Sequence, residues 1–230
     1  MGDELKVLSA GAVKSGVTQV VKDFERATGK RVTVEFNTAP ELRKRVAAGE
    51  PADVIVAPPA AMDEFHKLGK IADGSRGFVG RSRMGVVVHA DAKAPELSDG
   101  AAFKRALLAA SAVVHNQASS GIYSAKLLEK LGIKDTLGAK VVVVDTGSAV
   151  MRTVAEKGPG AVGLAQISEV MVMIDKGCQV KLAAPLPAEV QNVTSYEAAA
   201  TAGSPEAARQ LAASFTSEAA KKIFAATGIS

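Results

Sequence analysis

The chain has 230 residues, of which 47% are hydrophobic and 23% are charged, a composition that excludes an intrinsically disordered protein. Lysine and arginine exceed aspartate and glutamate by only four, and aromatic residues make up 4% of the chain. So small a positive excess, with so few rings for stacking, argues against a nucleic-acid-binding protein. The densest basic run, Arg43-Lys44-Arg45, is accordingly predicted to be a solvated helix face.

The sequence also disfavours a membrane-spanning protein, a disulfide-bonded protein and a metalloprotein. The longest apolar runs, such as Val141–Val144, fall far short of the roughly 20 residues that a spanning helix needs. Cys178 is the single cysteine, so neither an intrachain disulfide nor a multi-cysteine metal site is expected. The histidines share no metal-ligand spacing and lie near no nucleophile motif; they are His66, His89 and His115. We therefore predict no cofactor, no bound metal and no catalytic residues.

The N-terminus leaves the compartment open. Met1-Gly2-Asp3-Glu4 leads directly into a strand-like segment, with no basic region and no apolar region of a signal peptide. The protein is periplasmic if a signal peptide was removed and replaced by a start methionine, and cytoplasmic otherwise.

Short β-rich segments alternate with amphipathic helical segments, and this alternation predicts an α/β fold with mostly parallel sheets flanked by helices. The predicted strands are 5–9, 32–36, 54–57, 84–89, 112–116, 140–144, 162–165, 180–182 and 193–196. The predicted helices are 15–28, 40–48, 61–68, 101–110, 121–131, 149–156, 205–214 and 217–227.

Local motifs predict where helices begin and end. Thr38-Ala39-Pro40-Glu41 is typical of a capping box, with the threonine as N-cap. Ser204-Pro205 predicts an N-cap serine followed by a first-turn proline. Four glycines follow helical runs as C-cap residues do; they are Gly29, Gly49, Gly69 and Gly132.

The order of the elements predicts two lobes. Lobe 1 comprises 1–80 together with a return segment, 190–230, and lobe 2 comprises 84–185. No Gly/Ser-rich linker separates them, so we expect strand-like crossovers and a ligand cleft between the lobes, with one crossover near 80–83.

Four strands are followed by loops of small or hydroxylated residues. Ligands of open α/β sheets lie beyond the carboxyl ends of the strands, where backbone amides and helix dipoles favour an anion. The alternative is a purely structural role, in which these residues only cap helices. Four such loops together favour an anion site, with the candidate residues Gly11, Ala12, Asn37, Thr38, Ser119, Ser120, Gly147 and Ser148.

An enzyme is one alternative. The strand ending at Val144 runs into Asp145-Thr146-Gly147-Ser148, which resembles the loop with which phosphoribosyltransferases hold a 5-phosphate. Apart from Glu169 and Asp175, no acidic residue lies near this loop to organise Mg²⁺ and pyrophosphate.

Several segments, taken in order, carry a resemblance that covers nearly the whole chain. Residues 24–29 are similar to an "FEKETG"-like helix end, and 48–54 are similar to a "GAPADV" turn. Residues 120–132 are similar to an "AGxYAKEALEKLG" segment, and further matches lie at 7–13, 161–164, 217–220 and 227–229. The chain resembles the molybdate-binding-protein family of extracytoplasmic solute receptors, a branch of the type II periplasmic binding proteins.

This resemblance implies a two-lobed, monomeric, non-enzymatic protein that closes on a small anion and feeds an ABC transporter permease. It places the family's first ligand serine at Ala12 and its ligand tyrosine at Gln166, while amide donors fall near Ser120 and Gly147. Because two family hydroxyls are missing, we expect a small carboxylate or substituted oxyanion rather than molybdate. Arg81 is the expected charge partner. A ligand-sensing domain of a regulator is a further alternative.

Overall fold

The computed structural model describes residues 4–230. The strands are β1 (Glu4–Ala10), β2 (Arg31–Asn37), β3 (Val54–Ala57), β4 (Gly77–His89), β5 (Ala112–Asn116), β6 (Val141–Val144), β7 (Ala161–Gln166), β8 (Val180–Pro185) and β9 (Val193–Ala200). The helices are α1 (Lys14–Thr28), α2 (Ala39–Ala47), α3 (Pro59–Lys67), α4 (Gly100–Ala109), α5 (Ser119–Lys130), α6 (Lys134–Leu137), α7 (Gly147–Lys157), α8 (Ile167–Asp175), α9 (Glu206–Ser214) and α10 (Glu218–Ala226).

The chain divides into two compact units. Unit 1 contains the described residues up to Ser82 together with Thr194–Ser230, and unit 2 contains Arg83–Val193. The boundary falls within β4, whose first part belongs to unit 1 and whose second part belongs to unit 2. Within residues 4–230, no helix combines the length and the hydropathy that crossing a membrane requires.

In unit 1, β1 pairs in parallel with β2 on one side and with β3 on the other, and β9 runs antiparallel to β3. Helix α1 places valines and a phenylalanine on its buried face at helical spacing, from Val17 to Phe24. Gly16 lies where α1 approaches α10, since a Cβ there would come within 2.2 Å of the Phe224 ring. Helices α1 and α10 therefore pack closely against each other.

In unit 2, β5 pairs in parallel with β6 and with β7, while β4 runs antiparallel to both β7 and β8. Every residue of β5 and of β7 is buried, as expected for parallel strands covered on both faces. One face packs on α4 and α5 through residues such as Phe103 and Leu127, and the other packs on α7 through Val150 and Val154.

The predicted α/β class is confirmed, and so are several local predictions. The Oγ1 of Thr38 accepts from the amide of Glu41 at 3.4 Å, so the predicted capping box has its threonine as N-cap. All four predicted C-cap glycines have positive φ angles, which favour glycine over residues with a Cβ; they are Gly29, Gly49, Gly69 and Gly132.

Other local predictions are wrong. Helix α9 has Pro205 as its N-cap, and the Ser204 hydroxyl instead donates to the carbonyl of Thr201 at 2.7 Å. Strand β4 begins seven residues before the predicted position of 84. The prediction misses this part of the strand because glycines and arginines interrupt its alternation of apolar and polar residues. Helix α8 was not among the predicted helices.

The predicted solvated face of α2 carries ion pairs. Arg43 Nε lies 2.8 Å from Glu64, and Arg45 pairs with both Glu35 and Glu50. Lys6 Nζ lies 2.9 Å from Glu35 and 2.8 Å from Glu50, and so completes the cluster. Hydrogen bonds from Arg45 and then Lys6 lower the pKa of Glu50 to about 2. The basic run of α2 is therefore largely neutralised within unit 1.

We predict that Glu50→Gln destabilises the fold at neutral pH. Because the pKa of Glu50 is depressed on folding, its contribution is present above the unfolded-state value of 4.5 and is lost as pH falls towards 2. Urea unfolding at pH values from 7 to 2.5 should show that the variant has a lower free energy of unfolding than the unmodified protein, by a difference that becomes smaller as the pH falls. Glu189→Gln, at an exposed residue outside the ion pairs, is the matched control. A difference independent of pH would contradict this account of the cluster.

Candidate functional site

In unit 1 the carboxyl ends of β1 and β2 lie side by side, because Ala10 pairs with Asn37 in the parallel register. The chain leaves β1 through a short 3-10 turn, Gly11–Val13, and it leaves β2 into α2 at Thr38. A Cβ on Gly11 would lie 3.8 Å from the Asn37 carbonyl oxygen. The predicted residues Gly11, Ala12, Asn37 and Thr38 are thus brought to one edge of the unit 1 sheet.

Asn37 carries the unusual feature of this edge. Its Nδ2 is buried and has no hydrogen-bond partner in the described part of the chain. A buried donor without an acceptor is costly, so each such case calls for an explanation such as a ligand or a water. The neighbouring Thr38 hydroxyl is exposed and caps α2.

Arg81 lies in the unit 1 part of β4. Its backbone exchanges two hydrogen bonds with Ser230, at 2.7 and 2.9 Å. The side chain is exposed, and its guanidinium lies 5.1 Å from the centroid of the Phe78 ring. The structure therefore gives this arginine a surface cation–π contact, and its role as a charge partner of a ligand stays a prediction.

In unit 2 three parallel strands end at one edge. Strand β5 ends at Asn116, β6 at Val144 and β7 at Gln166, and each is followed by a helix. Because the strands are parallel, helices α5, α7 and α8 begin at this edge. The predicted residues Ser119, Ser120, Gly147, Ser148 and Gln166 all belong to these strand ends and first helical turns.

Asn116 organises the start of α5. Its Oδ1 accepts from the amides of Ala118 and Gly121, both at 3.0 Å, and its Nδ2 donates to the Ser120 hydroxyl at 3.1 Å. A Cβ on Gly121 would lie 1.5 Å from the Asn116 carbonyl oxygen, so this turn requires glycine. Ser120 is only 4% exposed and locks the Asn116 side chain, while Ser119 is exposed. Direct ligand contact by Ser120 stays a prediction.

Helix α7 begins with donors that the protein does not use. Thr146 caps the helix by accepting from the amide of Ala149 at 3.2 Å, and the Thr146 and Ser148 hydroxyls lie 3.2 Å apart. Over residues 4–230, the amides of Gly147 and Ser148 find no acceptor. They lie at the positive end of the helix dipole, where an anion is favoured.

Glu169, in the first turn of α8, faces this helix start. A Cβ on Gly147 would come within 2.1 Å of Glu169 Oε2, so the carboxyl lies directly against the first residue of α7. The Oε2 atom is buried without a hydrogen-bond partner among the described residues. Burial raises the pKa of Glu169 to about 7. From the sequence, Glu169 is an acidic residue near the Asp145–Ser148 loop and part of the Gln166–Glu169 segment that suggests an anion other than molybdate, but it is not among the predicted site residues.

Other surface features lie away from these edges. A depression of about 660 Å³ is lined by the end of α1 and the start of β2, including Lys22, Arg26 and Lys30. It is at the opposite end of β2 from Asn37. Within the described residues, no group of three or more histidine, cysteine, aspartate or glutamate side chains is arranged to hold a metal ion.

Comparison with known proteins gives a family. A family model described as bacterial extracellular solute-binding protein matches residues 5–230. A curated relative, the aconitate isomerase of a Pseudomonas species, is 28% identical over 98% of this chain and 87% of its own length.

Solved structures show the same fold. The substrate-binding domain of a molybdenum ABC transporter from Clostridium difficile aligns with a TM-score of 0.77 at 17% identity, over 98% of this chain and 97% of that one. The periplasmic molybdate-binding protein of Azotobacter vinelandii aligns with a TM-score of 0.73 at 19% identity, over 98% of each chain. The predicted resemblance to solute-binding proteins is therefore confirmed, and so is the fold of periplasmic binding proteins.

The raised pKa of Glu169 predicts a specific pH dependence of stability. The folded state keeps the proton between pH 4.5 and about 7, so stability present below 4.5 is lost as pH rises through 7. Relative to Glu169→Gln, the free energy of unfolding of the unmodified protein should fall by on the order of a few kcal/mol as the pH rises from 4.5 to about 7. Denaturant unfolding at several pH values measures the difference, and Asp175→Asn controls for a charge lost from the same helix. Parallel curves for Glu169→Gln and the unmodified protein would contradict a neutral buried carboxyl.

Gly147→Ala should be destabilising by about 1–3 kcal/mol, because its Cβ would displace the buried carboxyl of Glu169. Gly100→Ala is the matched control, since Gly100 also begins a helix and its Cβ would have no neighbour closer than 3.9 Å. Alanine there should be neutral or slightly stabilising. Thermal unfolding measures both variants, and Gly147→Ala should have a lower melting temperature than Gly100→Ala. Equal melting temperatures would refute this prediction.

Proposed function

The chain belongs to the family of bacterial extracellular solute-binding proteins, and from this premise we propose that its solute is a small carboxylate anion, bound without chemical change. Each unit offers a carboxyl edge of parallel strands that can receive such a solute: the edge at Asn37 in unit 1, and the edge at which α5, α7 and α8 begin in unit 2.

One observation carries this proposal. The buried side-chain polar atoms without partners, over residues 4–230, are Asn37 Nδ2 and Glu169 Oε2. Each lies at the carboxyl edge of the parallel strands in its own unit, where ligands of such sheets bind. An anion that accepts from Asn37 at the unit 1 edge would offset the cost of that unpaired donor. At the unit 2 edge, an anion that accepts from the free amides of α7 and from a protonated Glu169 would do the same.

A carboxylate fits better than a tetrahedral metal oxyanion. The resemblance places the hydroxyls that molybdate-binding proteins use at Ala12 and Gln166, and neither residue has one. The curated relative is named for aconitate, a tricarboxylate. A neutral Glu169 carboxyl and an asparagine amide are both donors, and donors are what a carboxylate oxygen requires.

The family and the structural relatives also support a partner and a compartment. Binding proteins of this kind include the substrate-binding domain of an ABC transporter and a periplasmic protein. We propose that this chain likewise acts as a monomer in the periplasm and delivers its solute to an ABC transporter permease. None of the relatives reported above is a phosphoribosyltransferase.

A second candidate is isomerisation of a small unsaturated polycarboxylate. Two observations favour it: the name of the curated relative and a pKa near 7 for Glu169. A carboxyl group that is half-protonated at neutral pH can remove a proton from one carbon and return it to another. In such a step the double bond moves by one position, and nothing is oxidised or reduced.

Calorimetric titration tests the binding proposal, with cis-aconitate, trans-aconitate, citrate, sulfate and molybdate as probes. Asn37→Ala should weaken carboxylate binding about tenfold or more, since a hydrogen bond to a charged group contributes roughly 1.5–3 kcal/mol. Its free energy of unfolding should not fall, because Nδ2 has no partner to lose. Asn192→Ala, at the third asparagine of the described chain, should leave affinity unchanged.

The outcomes separate the candidates. Binding of molybdate with no binding of any carboxylate would overturn the solute class. Unchanged carboxylate affinity in Asn37→Ala would overturn the role of Asn37. Conversion of cis-aconitate to trans-aconitate, followed by NMR and abolished in Glu169→Gln, would establish the second candidate in place of simple binding.

A further inference from the structure

The surroundings of Glu169 oppose the ionised form that a carboxyl group at the start of a helix usually has. A carboxylate in the first turn of a helix is normally ionised, because the helix dipole and the free amides stabilise the negative charge. Here Oε2 is buried and receives no hydrogen bond from the described residues, so the ionised form would be left without compensation.

No neighbouring cation compensates for this burial. Helix α8 packs against α7, β7 and β8, and β4 reaches its first residue, since a Cβ on Gly85 would lie 3.0 Å from Ile167 Cγ1. The charged groups of these elements near α8 are Arg152, Glu156 and Lys157 on α7, Lys181 on β8 and Arg83 on β4, while Asp145 precedes α7 and Asp175 ends α8. None of them forms an ion pair with Glu169 in the described structure, and β7 carries no charged residue. Desolvation therefore governs the ionisation of this carboxyl.

We propose that Glu169 recognises the solute as a neutral acid, donating its O–H to a carboxylate oxygen, so that the solute binds together with one proton. This inference rests on the proposed function and deepens it. An ionised Glu169 would instead repel an anion at the start of α7, so affinity depends on the protonated form.

One contact makes this geometry specific. The carboxyl lies directly against Gly147, the first residue of α7, and the amides of Gly147 and Ser148 are the free donors of that helix. An anion at that helix start would therefore meet backbone donors from α7 and the acid donor from α8. A solute without an ionised oxygen accepts more weakly from both, so neutral analogues should bind poorly.

Titration of the chain with trans-aconitate at pH 6, 7 and 8 tests the proposal. For the unmodified protein, affinity should fall by about tenfold between pH 6 and pH 8, as expected for a required proton with a pKa near 7. Glu169→Gln keeps a donor that cannot ionise, so its affinity should change with pH only as the probe itself titrates. Asp175→Asn, which removes a charge from the same helix, should behave as the unmodified protein.

A measurement on the unmodified protein avoids any folding defect of the variant. Binding enthalpies in two buffers of different ionisation enthalpy give the protons taken up, which should approach one per solute at pH 8 and none at pH 5.5. Carboxylate binding with no proton uptake, or with the same pH dependence in Glu169→Gln, would overturn the role of Glu169 and leave the proposed function intact. No carboxylate binding at any pH would overturn both.

Discussion

The cost of burying a polar group without a hydrogen-bond partner is the constraint on which this account depends. Most buried polar atoms of folded proteins are paired, and an unpaired one costs of the order of 1–3 kcal/mol. Asn37 Nδ2 and Glu169 Oε2 bear this cost in the described chain. Each lies at the carboxyl edge of the parallel strands of its own unit, where an anion bound to that edge would supply the missing partner.

The remaining architecture serves to present these edges. Parallel pairing of β1 with β2, and of β5 with β6 and β7, brings successive strand ends together and makes the following helices begin in the same place. Small residues keep these places open: glycine at 121 is required by the Asn116 turn, and glycine at 147 leaves room for the carboxyl of Glu169. Glu35 and Glu50 instead pair with Arg45 of α2 and take no part in the proposed site.

Much of the fold could be predicted from the sequence, because buried parallel strands are short apolar runs and their helices are capped by recognisable residues. Strand 54–57 and strand 112–116 agree with Val54–Ala57 and Ala112–Asn116. The start of β4 could not be predicted, since glycines and arginines interrupt its alternation of apolar and polar residues.

The candidate site could be predicted only in part: loops of small residues indicate an edge of the sheet, but no sequence pattern shows which side chain is left without a hydrogen-bond partner. Ser120 is predicted as a ligand hydroxyl, and the bond of that hydroxyl to Asn116 could not be foreseen from the sequence. The burial of Glu169 depends on contacts between α7 and α8, which no sequence motif marks.

Amide chemical shifts provide the most direct test of the central claim, that a carboxylate anion binds at these strand edges. In a ¹⁵N-labelled sample titrated with trans-aconitate, the account predicts the largest saturating changes at the strand edges of either unit: at the amides of Gly147 and Ser148, at the side-chain amide of Asn37, or at both. Saturating changes confined to the basic depression around Lys22, Arg26 and Lys30, with none at these three positions, would contradict it.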